Sequence, residues 1–383
     1  MSETIIQLTA ADFEETMDFL NLVFGAYSPH DMAHLIPAIY RPTDEHMGCN
    51  YAIRQQGRLR AVVGLFPIEL RLGETLLRSG GIGGVSTHPN CRKSGLMQTL
   101  MRHCVEVMRQ QKYHLSWLGG QRQRYAYFGY ERCGYSCSFN ANPSNTRHHF
   151  TDEPDIRFTA LLQQDQERIA TAAALHNTQP IHCLRPLDDF YLYCTNWKRA
   201  PFAALDANDR MVGYLVASEQ SGDITELGAD DNETAVRLVR AWIARNEAPV
   251  SIAVSPLASD LMHRLGQFCE QVSPRTSGNW QVFDWVTVTD ALMKLRRQIG
   301  PLVDGSVVID IAEYGTIHLC VDGTQAHCTA TSNEPDLRCD ASTAMRLLFG
   351  PLPPSLVLAL PAAAAALESW CPLPLHWPAQ NGV

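Results

Sequence analysis

The sequence predicts an α+β protein with mixed, α/β-like sheets, divided into three units over residues 1–150, 151–285 and 286–383. Three observations point there. A chain of 383 residues is too long for one ordinary core and suits several domains of about 100–200 residues. Strand-like and helix-like stretches alternate through the first third, and a similar order of stretches begins again near residue 155. From about Val286 the rhythm changes once more.

Taken in order, "TIIQLT" has the composition of a strand, and "DFEETMDFLNLVF" follows as an amphipathic helix capped near Thr9 or Asp12. "YAIRQQGRLRAVVGLFPIEL" predicts a hairpin turning at Gln56-Gly57. "GETLLRSGGIGGVSTH" predicts a further pair of strands, its glycines implying a bulge or a close backbone approach. Apolar spacing then predicts a helix over 94–110, a short buried strand in "HLSWLGG" and a short helix in "RYAYFGYE" stopped at Gly129. In the second unit "FAALDANDRMVGYLVASEQ" echoes the first hairpin, and "NETAVRLVRAWIARN" stands where "MQTLMRHCVEVMRQQ" stood. "VSIAVSPLASDLMHRLGQF" repeats the strand, turn and helix, so the period is that of a domain and not of a solenoid. The last unit opens with the helix "DALMKLRRQI" and alternating strands broken at Gly315 and Asp322-Gly323. It continues with the capped helix "DASTAMRLLFG" and the strong helix former "PAAAAALESW".

Composition excludes several classes. Hydrophobic content of 45% with 19% charged residues rules out a largely disordered chain. A net charge of -9 argues against a nucleic-acid footprint and mildly favours cationic substrates. No stretch approaches the roughly 18 apolar residues of a membrane span, and the N-terminal segment lacks the basic and apolar regions of a signal peptide. The expected location is cytoplasmic, without a membrane partner. The 12 cysteines are scattered with no C-x-x-C pair and are expected to be reduced, small core hydrophobes.

One stretch asks for a ligand. "CRKSGLM", residues 91–97, places two cations, a serine and a glycine where a strand hands over to a helix. The unpaired N–H groups of a first helical turn and the positive end of its dipole bind phosphate oxygens, and Gly95 lets a diphosphate approach the backbone. The spacing Val85-x-x-x-Pro89-x-x-Arg92-x-x-Gly95, followed by Tyr125-x-x-x-Gly129-Tyr130, resembles the acetyl-CoA signature of the GNAT superfamily of N-acetyltransferases. Met97 stands where the general pattern has a small residue, but "HPNCRKSGLMQTLM" is similar to the variant of the enhanced intracellular survival (Eis) type. That resemblance is strongest over residues 80–135. It implies tandem GNAT folds, the second degenerate, then a domain similar to sterol carrier proteins, in a homo-oligomer for which a hexamer is the family's form.

The resemblance also assigns roles. Arg92, Lys93, Ser94, Gly95, Leu96 and Met97 would grip the diphosphate of acetyl-CoA, and Val85, Ser86 and Thr87 would align its pantetheine. Acetyl transfer to an amine needs a proton for the departing thiolate, and a tyrosine, with a reference pKa near 10 against about 8.5 for a thiol, supplies one at neutral pH. Tyr125, four residues before Gly129, is the choice; Tyr127 points about 200 degrees round the helix. Tyr127, Phe128 and Tyr130 read as aromatic core. In the second unit Met262 precedes Gly266 by the same interval and the long helix opens with the acidic "DDNETAV", so that copy is expected to be catalytically empty.

For the base, the resemblance implies the chain's own terminal carboxylate, here that of Val383 after the Pro-rich "PLPLHWPAQNGV", although an aromatic residue is usual at that place. Asp31, Asp44, Glu45 and Glu131 are fallback carboxylates. "GGQ" at 119–121 and "GGIGG" carry no motif function in this context, and His318, Cys320, His327 and Cys328 form no tight zinc quartet, so no metal is expected. The expected activity is acetyl-CoA-dependent N-acetylation of a primary amine: a polyamine, an aminoglycoside-like compound or a lysine. The competing class is a non-catalytic acyl-CoA sensor or lipid-binding protein.

Overall fold

The structure, a computed structural model, describes residues 4–25 and 31–383. Its first half is built on β1 (Ile5–Gln7), β2 (Asn50–Gln55), β3 (Arg58–Leu72), β4 (Thr75–Thr87), β5 (Leu115–Leu118) and β6 (Glu131–Ala141). Next come β7 (Arg157–Ala160), β8 (Ile181–Cys183), β9 (Arg199–Leu205), β10 (Met211–Ser218), β11 (Ile224–Ala229), β12 (Val250–Val254) and β13 (Gln271–Val282). All thirteen belong to one sheet in the order β1-β2-β3-β4-β5-β13-β6-β12-β11-β10-β9-β7, with β8 added against β3. The turn at Gln56-Gly57 has both residues at positive φ, 52° and 74°, the geometry a two-residue hairpin requires.

Two sequence expectations change here. "GETLLRSGGIGGVSTH" forms one continuous strand, β4, and not a pair. Its glycines make room for neighbours instead of turning the chain: a Cβ at Gly80 would lie 2.3 Å from Met108 Sδ, and one at Gly83 would lie 2.6 Å from the carbonyl carbon of Val383. The expected bulge is present, where Val62 faces Ser86 and Gly64 faces Gly83, with Gly84 at φ +58°. The second change is in strand exchange. β13 inserts between β5 and β6, so the sheet runs without a break past residue 150, and the first half borrows a strand from the second.

The third unit is a four-stranded sheet of β14 (Gly305–Ile311), β15 (Gly315–Asp322), β16 (Gln325–Ala330) and β17 (Leu337–Cys339), ordered β16-β15-β14-β17. The helix Trp285–Ile299 packs against it. The alanine run falls short of a long helix: only a 3-10 turn at Ala362–Ala364 and one helical turn at Leu367–Trp370 form. Between Pro361 and Pro372 the run is too short to offset the cost of nucleation, whatever its propensity. Ile68, Leu115 and Trp280 of the large sheet share one buried core with Ile309, Leu347 and Trp370 of the third unit, so the two pack as one body. Among the described residues no helix is long and apolar enough to cross a membrane.

After Cys371 the chain leaves the third unit and runs back across the large sheet. Leu375 O accepts from Tyr135 N at 2.8 Å, and Leu373, Leu375, Trp377, Gln380 and Asn381 are all buried. This tail is a packed element ending at Val383.

Candidate active site

The helix Leu96–Gln110 starts open. Gly95, at φ +88°, is its N-cap and makes no side-chain cap, while Lys93 also sits at positive φ, 69°. Alternating left-handed residues before a helix turn successive N–H groups to one side, a geometry that receives anions. The equivalent helix of the second half, Asn232–Asn246, is closed by its own carboxylate: Asp231 accepts from Thr234 N at 2.7 Å. One N-terminus therefore offers free donors and two cations, and the other is already capped by an anion.

A cleft of about 460 Å³ lies in front of Gly95 and is lined by Val85, Ser86, Thr87, Arg92, Lys93, Gly95, Leu96 and Met97. Ser94, expected among them, is not on this wall; its hydroxyl donates to Cys91 O at 2.5 Å and tightens the turn. Sequence reasoning missed Arg124, which adds a third cation to the cleft, and Val23 and Phe24, which also line it. Arg124 directly precedes Tyr125, a proximity that was available as a signal.

Beside the cleft two strands part. β4 and β5 pair in parallel only from Ser79–Leu115 to Ile82–Leu118. β4 then continues to Thr87 while the chain leaves β5 at Gly119, so the β5-facing edge of residues 83–87 has no strand neighbour among the described residues. Asn279 of β13 fixes this departure by donating from Nδ2 to Leu118 O at 3.3 Å and Gly120 O at 3.0 Å. The helix Leu96–Gln110 covers one face of the parting, with Met108 against Gly80, and Val383 covers the other, with its side chain at Gly81 and its terminal carbon at Gly83.

Tyr125 is 6% exposed, with its ring against the backbone of Gly120. Burial raises its pKa above the ordinary value, against an opposing pull from Arg124, so the phenol stays protonated at neutral pH. Phe128 and Tyr130 are buried, the latter bonded to Ser116 Oγ at 2.7 Å. Tyr127, expected in the same aromatic core, is 85% exposed, because the 3-10 turn Ala126–Phe128 directs it outward.

The tail is held by a buried polar network. Arg185 donates to both oxygens of Glu226, at 2.9 and 2.6 Å, and to Asn381 Oδ1 from Nε at 3.1 Å and Nη2 at 2.6 Å. Gln380 Nε2 donates to the carbonyls of Tyr193, Cys194 and Asn196, and Trp197 Nε1 donates to Gly382 O at 3.1 Å. A second cleft, of about 560 Å³, opens beside Val383 between Trp117, Trp197 and Trp377, with Glu226 and three histidines also on its walls. The fallback carboxylates lie elsewhere. Asp31 and Asp44 cap backbone N–H groups, Glu131 is clamped by Arg122 and Ser342, and neither cleft includes Glu45.

An open helix N-terminus flanked by cations, a parted pair of parallel strands and a buried phenol lie together in this region. Residues 4–137 match the family model of an acetyltransferase (GNAT) domain. Over its whole length the chain resembles solved structures of low sequence identity, and the likeness is therefore one of fold. One is a conserved protein of unknown function from Enterococcus faecalis described as a probable N-acyltransferase, with TM-score 0.69, 13% identity and 98% of each chain covered. Another is a GCN5-related N-acetyltransferase from Kribbella flavida, at 0.67, 17% and 98% of each chain. A third is Eis1 of Mycobacterium abscessus, at 0.67 and 13%, covering 99% of this chain and 100% of that one. No curated protein matches the chain. The GNAT match spans β1 through most of β6 and so contains the helix Leu96–Gln110, Tyr125 and the parted strands, but not β13 or the tail.

Two consequences of the buried network beside the GNAT region are measurable. Burial, with the Arg185 charge, holds His176 down at about 4, and burial does the same for His376. Burial pushes Glu226 upward, yet Arg185, His176 and the Tyr214 hydroxyl outweigh it and hold the carboxyl at about 2. All three folded values lie below the unfolded ones, so the unfolded chain binds more protons as pH falls. Stability present at pH 7 is lost from about pH 6.5 downward, by about 1.4 kcal/mol per pH unit for each histidine, and further below about pH 4.5 as Glu226 protonates. Urea midpoints at pH 7, 5.5 and 4.5 should fall in that order, and a midpoint independent of pH would contradict the burial of these groups. Arg185→Met should cost about 3–5 kcal/mol of unfolding free energy by leaving Glu226 buried without its cation, read from the same urea curves.

Proposed function

We propose that the chain is an acetyl-CoA-dependent N-acetyltransferase that passes the acetyl group directly to a primary amine in a ternary complex. The observation that carries this is the placing of the Val383 terminus against Gly83, where β4 parts from β5 next to an open helix N-terminus. The N–H groups of residues 95–97, with Arg92 and Lys93 and aided by Arg124, would hold the diphosphate. The free edge of Val85–Thr87 would pair with the pantetheine amides, leading the thioester through the parting toward Val383.

A carboxylate is a weak base against an ammonium of pKa near 10. The Val383 carboxylate therefore acts first by holding the ammonium and then takes its proton as the nitrogen attacks the thioester carbon and becomes acidic. The tetrahedral intermediate collapses by breaking the C–S bond, and the Tyr125 O–H gives its proton to the leaving sulfur. The products are the acetamide and free CoA. The second half, with Asp231 across its helix N-terminus and Met262 in place of the tyrosine, serves as support: it supplies β13 and the network that seats the tail. An acyl-CoA sensor would have no use for a terminus seated in this way.

Thiol release from acetyl-CoA over a panel of primary amines, with the amide identified by mass, tests the reading. Coenzyme binding without thiol release from any amine would overturn it.

A further inference from the structure

Tyr125, the acid of the transfer reading on which this inference rests, sits on a very short element. It is the last residue of a four-residue helical turn, Arg122–Tyr125, between the exit from β5 and the 3-10 turn Ala126–Phe128. A single helical turn does not hold itself in water, because fixing its dihedrals gains too few hydrogen bonds. Its N-cap, Gln121, makes no side-chain cap. The position of the phenol is therefore set by groups outside the turn.

Two tethers reach it. At its entry Asn279 of β13 donates to Leu118 O and Gly120 O, and the Tyr125 ring rests on Gly120. Three residues before the tyrosine, Arg122 donates from Nε and Nη2 to the two oxygens of Glu131, at 2.5 and 2.6 Å. Such a fork fixes the orientation of the guanidinium as well as its distance. Glu131 is itself anchored: it is 1% exposed, opens β6, and is paired in register with Trp280 of β13. Arg132 N at 2.8 Å and Ser342 Oγ at 2.5 Å donate to the same carboxylate. Ser342 belongs to the helix Ala341–Phe349 of the third unit, 211 residues further along the chain. With its oxygens so engaged, Glu131 has no part in proton transfer to substrate, and it lines neither the cleft in front of Gly95 nor the one beside Val383.

We propose that Glu131 is a positioning residue for the transfer: through the Arg122 fork it holds the turn that carries the Tyr125 hydroxyl, and Ser342 makes the third unit a partner in setting the acid. Residues of all three units then meet at one helical turn, which gives the third unit a role in the chemistry of the first.

The test is a set of mutant cycles on the full-length protein, with Arg122→Ala and Ser342→Ala each made in the wild type and in Tyr125→Phe. The readout is thiol release from acetyl-CoA with the fastest amine of the panel above. Arg122→Ala is expected to lower kcat by about tenfold and Ser342→Ala by about threefold, with KM for acetyl-CoA within about threefold of the wild type. Arg122→Lys restores only part of the loss, because a point charge cannot form the fork. In the Tyr125→Phe background the same substitutions should lower kcat by less than about twofold, since the group they position is gone. Ser342→Ala leaves the ion pair intact and so carries the cycle even where Arg122→Ala impairs folding. Equal fold-losses with and without the Tyr125 hydroxyl, or an unchanged kcat in both single variants, would overturn this inference while leaving acetyl transfer intact. Absence of thiol release from every amine by the wild-type protein would overturn the transfer reading and this inference with it.

Discussion

A chain extended by three or four residues beyond Val383 is expected to lose turnover by about 10²–10⁴-fold while its affinity for CoA stays within a few-fold. The reason is positional. The terminal carbon lies so close to Gly83 that even a Cβ there would approach it to 2.6 Å, so added residues must either displace the carboxylate or replace it by a peptide group. Coenzyme affinity survives because Val383 does not line the cleft in front of the 91–97 turn. Val383→Ala separates the carboxylate from the side chain: it keeps the charge in place and is expected to retain turnover within about tenfold, losing only side-chain packing against the two cores it borders. Steady-state thiol release with coenzyme titration checks both, and an extended chain of full activity would remove the terminus from the mechanism.

The second large effect belongs to Tyr125→Phe. With the phenol gone, the thiolate must leave unprotonated or take its proton from water, and kcat is expected to fall by about 10²–10⁴-fold. The ring still packs on Gly120, so thermal stability and KM for the coenzyme should change little. Tyr127→Phe is the control, because Tyr127 is 85% exposed and should be silent. Since burial raises the Tyr125 pKa, wild-type turnover should show no loss from tyrosine ionisation up to about pH 10. Tyr125→Phe with undiminished kcat would reassign the acid.

What the sequence made legible is what local chemistry decides. The hairpin at Gln56-Gly57, the helix behind Gly95 and the stop at Gly129 each follow from residues able to take left-handed backbone or to leave a helix end open. The contrast between Gly95 and Asp231 was also local, and the structure gives it a direct cause: one helix end has no side-chain cap and the other has its own carboxylate. The glycines of β4 misled as turn formers because their role is set by what approaches them, Met108 and Val383, both distant in sequence. The insertion of β13 between β5 and β6 depends on pairings between residues more than 130 apart, for which no periodicity speaks. The same holds for Arg185, whose partners Glu226 and Asn381 lie 41 and 196 residues away, and for the Trp117–Trp377 stack that walls the cleft beside Val383. Tyr127 was misplaced because it was grouped with its aromatic neighbours, although a position about 200 degrees round the helix from the buried Tyr125 already pointed it outward.

The central claim is that one coenzyme spans the two sides of the β4–β5 parting, with its diphosphate on one and its thioester on the other. A crystal structure with a non-hydrolysable acetyl-CoA analogue tests it most directly. The account predicts diphosphate oxygens on the N–H groups of residues 95–97, pantetheine along Val85–Thr87, and the sulfur position between the Tyr125 hydroxyl and the Val383 carboxylate. A coenzyme bound away from Gly95, or bound there with its sulfur remote from both groups, would contradict it.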